Sequence, residues 1–452
     1  MEEFAWLGGY RHNLRADAFR SSIKERKNLA LLECRHRPTT FPLSLFTMSS
    51  VKLFHHPTPV SISLKQAGNA SIPLTDYIAQ KCPSLVGPKA YYSPTPYLFN
   101  GHLQTGYAAY YNGAGTKNDV CYEREMLSMP DGGQVSIDWA PTLAEKPLDD
   151  TPTLVLLHGL TGGSHESYIR GLLEVITRPP FNYRGVVFNA RGCANTELTT
   201  PQLFNGAYTD DLRHVLKHIQ NVLPEGTPLM GIGYSLGSNI LVKYLGEEGD
   251  KTPFKAAVSV ANPFDFLNSS LALDRHYLTR TIYSGTMAGN LKRAFSRHVD
   301  MLSKHPNLDV DEIMRSRTIR EFDDACTRRV FNYTTVNNYY RDASSSRFIE
   351  HVRIPLLCFN ALDDPIAVAE GIPYDEIKIN PNVILATTEY GGHIGWFEHV
   401  WQPTRWIVKP LAEFIVAMFE AHDIRPPNQK GRPTELDPEA IDRSVDAIQA
   451  QE

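Results

Sequence analysis

From Tyr122 onward, short runs of apolar residues alternate with longer stretches in which apolar residues recur every three or four positions. The short runs lie at Thr153–Gly159 ("TLVLLHG"), Arg184–Ala190 ("RGVVFNA"), Pro228–Tyr234 ("PLMGIGY"), Lys255–Ala261 ("KAAVSVA"), Ile354–Ala361 ("IPLLCFNA") and Asn382–Glu389 ("NVILATTE"). Each is apolar at successive positions, as expected of strands covered on both faces. Between them, "NILVKYLGEE" places Ile240, Leu241, Tyr244 and Leu245 on one helical face. "TDDLRHVLKHIQNVL" begins with Thr209 as an expected N-cap and with Asp210 and Asp211 in the positive first turn. The alternation predicts an α/β fold: a mostly parallel central sheet with helices on both faces. Ahead of it, "CYEREMLSM" and "QVSIDWA" flank Pro130-Asp131-Gly132-Gly133 and predict an antiparallel hairpin, because Asp-Gly supplies the positive φ of a tight turn.

The pattern breaks between Phe264 and Val352, where no buried-strand signal occurs over a length too great for a bare loop. An inserted helical cap is the expectation for residues 264–352, dividing the α/β core into residues 122–263 and 353–425, with residues 48–121 packing on it as an N-terminal segment. Residues 1–47 differ in character, and Met48 opens a stretch that would serve as a start by itself. They read as a leader, disordered or a gene-model extension, and the polar residues 426–452 read as a flexible tail.

Composition narrows the classes. The 452 residues are 42% hydrophobic and 21% charged, which fits a globular protein, and about 250 to 300 residues can share a single α/β core. A net charge of -5 with no basic stripe argues against nucleic acid as a partner. The six cysteines are scattered without C-x-x-C spacing, as in a reduced, intracellular protein. No run of about 18 apolar residues predicts a transmembrane helix, which leaves peripheral contact as the only expected form of membrane association. The N-terminus has no secretory signal; it is arginine-rich, but Glu25 and Glu33 weaken a mitochondrial reading.

The candidate chemistry sits at strand ends. In "GIGYSLGSNI", Ser235 stands at a strand-to-helix turn between Gly233 and Gly237, where small neighbours allow a strained backbone that exposes the hydroxyl. By itself this G-x-S-x-G is weak, since glycine and serine are common in turns. A serine nucleophile needs a base and a carboxylate, which follow in the order Ser, Asp, His. Asp363-Asp364-Pro365 follows the strand "IPLLCFNA", and His393 follows "NVILATTE" within Gly391-Gly392-His393. Of the two aspartates, Asp363 is favoured as the acid because it comes first after the strand. The backbone N–H groups of Leu160, in "HGLTGG", and Leu236, next to the serine, are the expected oxyanion donors. No cofactor or metal is called for.

The segments "HGLTGGSHESYIR", "NARGCANTELTTPQLFNGAYTDDLRHVLKHI", "GYSLGSNILVKYLGEEG", "NALDDP" and "GGHIGWFE", with "PYLFNGHLQT" upstream, resemble one group of the α/β-hydrolase superfamily. That group contains fungal medium-chain fatty acid ethyl ester synthase/esterases, animal α/β-hydrolase-domain phospholipases and acylglycerol lipases, and related bacterial esterases. The resemblance covers about Tyr91 to Ala421 and places nucleophile, acid and base at Ser235, Asp363 and His393. It implies a serine esterase or lipase acting on short-to-medium acyl esters through an acyl-enzyme. It also implies ester synthesis from an acyl-CoA and an alcohol, and a cytoplasmic location with lipid-droplet or mitochondrial outer-membrane association. Alternatives are a secondary-metabolite thioesterase or acyltransferase, and a hydrolase-fold protein that only binds.

Other residues have competing readings. His102 is either functional or a satisfied histidine in a packed segment, the second being favoured. Arg191 either holds an acidic headgroup or forms a structural ion pair. His214 and His218 have zinc-like spacing without a third ligand. Phe264, Phe266, Tyr277, Tyr283, Phe331, Tyr333, Tyr339 and Tyr340 line an acyl channel or simply pack the cap.

Overall fold

A computed structural model describes residues 48–63, 71–110, 120–421 and 423–425; the expected leader and tail lie outside them. The described residues fall within one compact unit. Its centre is a nine-stranded sheet of β1 (Lys52–His55), β2 (Glu123–Ser128), β3 (Gln134–Ala140), β4 (Thr153–Leu157), β5 (Arg184–Asn189), β6 (Leu229–Tyr234), β7 (Phe254–Val260), β8 (Leu356–Ala361) and β9 (Val383–Thr388). The spatial order is β1-β9-β8-β7-β6-β4-β5-β3-β2. Strands β4 to β9 pair in parallel, with Ile232 of β6 level with Leu156 of β4 and Val258 of β7. The hairpin β2–β3 joins antiparallel to β5, as the Asp-Gly turn predicts. β1 closes the other edge antiparallel to β9 and was not anticipated, since "KLFH" is too short and mixed to carry a period.

Both faces are covered, and successive strand residues serve different layers. Leu154 and Leu156 enter one core with Ile169, Leu172 and Leu173 of α2 (Ser167–Ile176). Val155 and Leu157 enter the other with Leu212, Val215 and Ile219 of α3 (Asp210–Val222) and Leu241 and Leu245 of α4 (Leu236–Glu248). This two-sided burial is what turns the strands into continuous apolar runs. One local expectation fails. Thr209 precedes α3 but makes no capping bond; its hydroxyl donates to Glu247 at 2.5 Å, while Arg213 donates to it at 2.9 Å.

Between β7 and β8 the described chain is helical, including α5 (Phe266–Arg275), α6 (Gly285–Arg297) and α7 (Val336–Ala343). Leu291, Phe295, Phe322 and Cys326 form a separate small core with Leu198 and Leu203 of the loop after β5. The insertion thus covers the end of the sheet at which β6 and β8 deliver the serine and the aspartates. Among the described residues no helix is long and apolar enough to cross a membrane.

Candidate active site

Ser235 occupies the turn between β6 and α4 with φ 51° and ψ -119°, a region that side chains rarely adopt. Its N–H donates to Val260 O at 2.9 Å, and its carbonyl accepts from Ser238 N and Oγ, so the turn is bonded on both sides. The sequence explains why it can form. A Cβ on Gly233 would lie 2.4 Å from Ser238 Cα, and one on Gly237 would lie 2.5 Å from the carbonyl oxygens of Leu157 and His158. Only glycine lets α4 start this close to β4 and β6.

The serine hydroxyl lies 2.7 Å from His393 Nε2, and His393 Nδ1 lies 2.8 Å from Asp364 Oδ2. A carboxylate at Nδ1 selects the tautomer with the proton there, so Nε2 presents a lone pair to the serine. The structure places Asp364 at the imidazole, where the sequence led to the expectation of Asp363. The chain turns at the end of β8, with Asp364 N–H donating to Ala361 O, and this brings the second carboxylate under the imidazole. Asp364 Oδ1 accepts the N–H groups of Ile366 and Ala367 at 2.8 and 2.9 Å, fixing its side chain, which is fully buried. A signal was present: an aspartate before proline commonly turns its carboxylate onto the N–H groups that follow. Asp363 instead accepts the Gly392 N–H at 2.9 Å. Burial, with the charge of Asp364 adding to it, pushes its acid up to about 6.

A helix that the strand pattern could not reveal braces the histidine. α1 (Gly101–Tyr110) carries the "GHLQT" residues. Thr105 Oγ1 accepts the His393 N–H at 2.9 Å, and Gln104 accepts the Phe397 N–H at 2.9 Å. A Cβ on Gly392 would stand 2.4 Å from Gly101 O, so the histidine loop touches the helix backbone directly. His102 of the same helix is exposed, contrary to the packed position expected of it, although its Nδ1 lies 2.7 Å from the Tyr283 hydroxyl.

On the other side of the serine, His158 is buried, and burial pushes its pKa down to about 4. It stays neutral near pH 7, donating from Nδ1 to Gly159 O at 2.7 Å and accepting the Ala190 N–H at Nε2. Tyr168 takes the Gly159 N–H at 2.9 Å. The loop is thereby pinned, and among the described residues the N–H groups of Leu160 and Leu236 have no acceptor.

Leu160, Ser235 and Leu236 open onto a cavity with about 710 Å³ of space unoccupied by atoms, part of it continuous with solvent. Phe204, Phe266, Leu273, Leu291, Tyr339 and Tyr340 supply its apolar wall. Of the aromatic residues considered from sequence, Phe266, Tyr339 and Tyr340 line it; Phe264 is in the main core and Tyr277 is 85% exposed. Arg191 takes no part. Burial opposes its charge, but hydrogen bonds at 2.7 Å to both Asp211 and Asp131 outweigh this and hold its pKa above the ordinary value. His218 faces Glu125 at 2.8 Å, and no group of three or more metal-type ligands occurs among the described residues.

Comparison with known proteins agrees with this architecture. The model of the alpha/beta hydrolase fold family matches residues 152–400. The monoacylglycerol lipase of Saccharomyces cerevisiae is 34% identical over 398 residues, covering 78% of this chain and 86% of that protein. Phospholipase ABHD3 of Homo sapiens is 35% identical over 348 residues, covering 76% and 82%. Medium-chain fatty acid ethyl ester synthase/esterase 2 of S. cerevisiae is 30% identical over 398 residues, covering 73% and 86%. The chain belongs to the α/β-hydrolase fold family, and its relatives there include lipases and esterases.

Proposed function

We propose that this hydrolase is a serine esterase or lipase that cleaves short-to-medium-chain acyl esters through an acyl-enzyme, with Ser235 as nucleophile, His393 as base and Asp364 as the acid. The observation that carries the reading is the unbroken line from Ser235 Oγ through His393 to Asp364, with steps of 2.7 and 2.8 Å, beside an apolar cavity. Ser235 Oγ attacks the ester carbonyl while its proton passes to Nε2. Asp364 stabilises the imidazolium, and the N–H groups of Leu160 and Leu236 receive the oxyanion. The imidazolium then protonates the leaving alkoxide, and the acyl group stays on Ser235. In the second half His393 takes a proton from water, which releases the acid, or from an alcohol, which releases a new ester.

Transfer from an acyl-CoA to an alcohol belongs to the same reading because both outcomes share one acyl-enzyme, and a relative named as an ethyl ester synthase/esterase supports it. Contact with lipid is peripheral in this reading and runs through the cap, where Tyr277, Leu278 and Ile282 are 85%, 59% and 48% exposed. The test is a chain-length series of p-nitrophenyl esters and acyl-CoAs, with and without ethanol, measuring acid and ethyl ester together in wild-type protein and Ser235→Ala. Loss of turnover and of fluorophosphonate labelling in the variant is expected; labelling equal to wild type would sink the assignment.

A further inference from the structure

Asp363 is a second carboxylate beside Asp364 for which the proposed mechanism has no use. It follows β8, and two other elements meet on it. A Cβ on Gly101, the first residue of α1, would run into the Asp363 carbonyl oxygen and lie 2.8 Å from its Cγ, so the helix starts directly on this residue. From the histidine loop, Gly392, which immediately precedes His393, donates its N–H to Oδ1 at 2.9 Å. The loop and α1 are also bonded to each other, through the His393 N–H and Thr105 Oγ1. The N–H before the proposed base is thus held by Asp363, and that of the base itself by the helix that starts on Asp363.

A neutral side chain would make this joint at lower cost. Asparagine accepts the same bond from Gly392, whereas a carboxylate sets a second negative charge beside Asp364. Burial and that charge push the acid up, against the N–H groups of Gly392, Gly101 and Gly391, which favour the charged form. Oδ2 is buried and has no hydrogen bond among the described residues. What the charge adds is strength, because a bond from an N–H to a carboxylate is roughly twice as strong as one to a neutral carbonyl. We propose that Asp363 is a positioning residue for His393: as a carboxylate it clamps the histidine loop and α1 to the end of β8, and taking up a proton loosens the clamp and slows turnover.

The groups around the clamp come from every element that meets there. Asp364 stands beside Asp363 on the same turn, His393 and Tyr390 belong to the loop, Tyr92 comes from the N-terminal segment, and His102 follows Gly101 on α1. Burial first, and neighbouring carboxylates after it, push both tyrosine hydroxyls up, so neither ionises over the range used below. Asp364 and the two histidines are present in wild type and variant alike, so their protonation is common to both sides of the comparison.

The clamp rests on the reading of Ser235, His393 and Asp364 as the machinery of an esterase, and its test separates the two. Asparagine at position 363 imitates the protonated acid, keeping an acceptor for Gly392 and carrying no charge. The assay is p-nitrophenyl ester turnover, read where phenol and phenolate absorb equally. The ratio of kcat between wild type and Asp363→Asn is expected to be about fivefold at pH 8, the added strength of a charge-assisted bond, and to fall through pH 6 to near one at pH 5. KM should be equal in the two proteins, since Asp363 does not line the cavity. Asp363→Ala leaves the Gly392 N–H without its acceptor and should lose about a hundredfold in kcat at pH 8, most of which Asp363→Asn regains.

Turnover in wild type with a ratio to Asp363→Asn that stays constant from pH 5 to pH 8 overturns the clamp and leaves the esterase reading standing. If wild type cleaves no ester and takes no fluorophosphonate label, the esterase reading fails, and amide hydrogen exchange of residues 391–395 decides the clamp. After correction for intrinsic rates, stronger protection at pH 8 than at pH 5 in wild type, with no such difference in Asp363→Asn, supports it; protection in wild type that does not change with pH overturns it. Should Asp363→Ala not fold, the asparagine comparison carries the test alone.

Discussion

Replacing Asp364 by asparagine tests the proposed mechanism at the position where neighbouring aspartates compete. In wild-type protein Asp364 holds three hydrogen bonds: two backbone N–H groups on Oδ1 and the His393 Nδ1–H on Oδ2. An asparagine keeps the first two on its carbonyl oxygen, which turns its NH2 group toward His393. Two donors cannot face each other, so the imidazole moves its proton to Nε2, and Ser235 then meets an N–H where it needs a lone pair. The expected loss in kcat is about 10⁴-fold, or ~5 kcal/mol of transition-state stabilisation. Stability should change by no more than ~1 kcal/mol, since the backbone bonds survive. Asp363→Asn keeps its bond from Gly392 and does not touch the imidazole, so a loss under about tenfold is expected. The assay is p-nitrophenyl ester turnover, with urea unfolding as the control for folding. A 10⁴-fold loss in Asp363→Asn alongside near-normal turnover in Asp364→Asn would refute the assignment.

Further outcomes follow from the packing. Gly237→Ala drives a Cβ into two carbonyl oxygens at 2.5 Å, so turnover should collapse and Tm should fall by several degrees; an unaffected protein would mean that the elbow tolerates a side chain. Arg191→Met leaves Asp211 buried without its partner and should cost ~3–5 kcal/mol in urea unfolding, most of it recovered when Asp211→Asn is added; a double variant no more stable than the single one contradicts this. Burial raises the Asp323 acid from 3.8 to about 6, so the folded state binds this proton more tightly than the unfolded chain does. Its stabilising effect is complete below the unfolded value and lost as pH rises through 6, so wild-type stability relative to Asp323→Asn should drop by up to ~3 kcal/mol between pH 4 and 7. A difference that does not vary with pH would show that Asp323 titrates normally.

What could be read from the chain follows from where each signal resides. Strands β4 to β9 were legible because both faces are buried, and the cap because eighty-odd residues, by count of the sequence, lack that pattern. Ser235 and His393 were legible because each stands at a strand end among glycines. The choice between Asp363 and Asp364 was not: one residue's difference reverses the direction of the side chain, and the turn that decides it depends on the bonds Asp364 makes to Ile366 and Ala367. Thr105 and Gln104 were hidden for another reason. The groups they hold lie 288 and 293 positions further on, and no local period records such a contact.

That long reach bears on when the site can first work. A chain emerging in order releases Ser235 and α4 well before β8, β9 and the histidine loop exist. Even then, His393 has its place only after it closes back onto Thr105, while β9 pairs with the edge strand β1. The proposed nucleophile is therefore made early and armed last. On the proposed mechanism a nascent or truncated chain carries an inert serine, and ester cleavage would begin only once the two distant parts of the polypeptide have met.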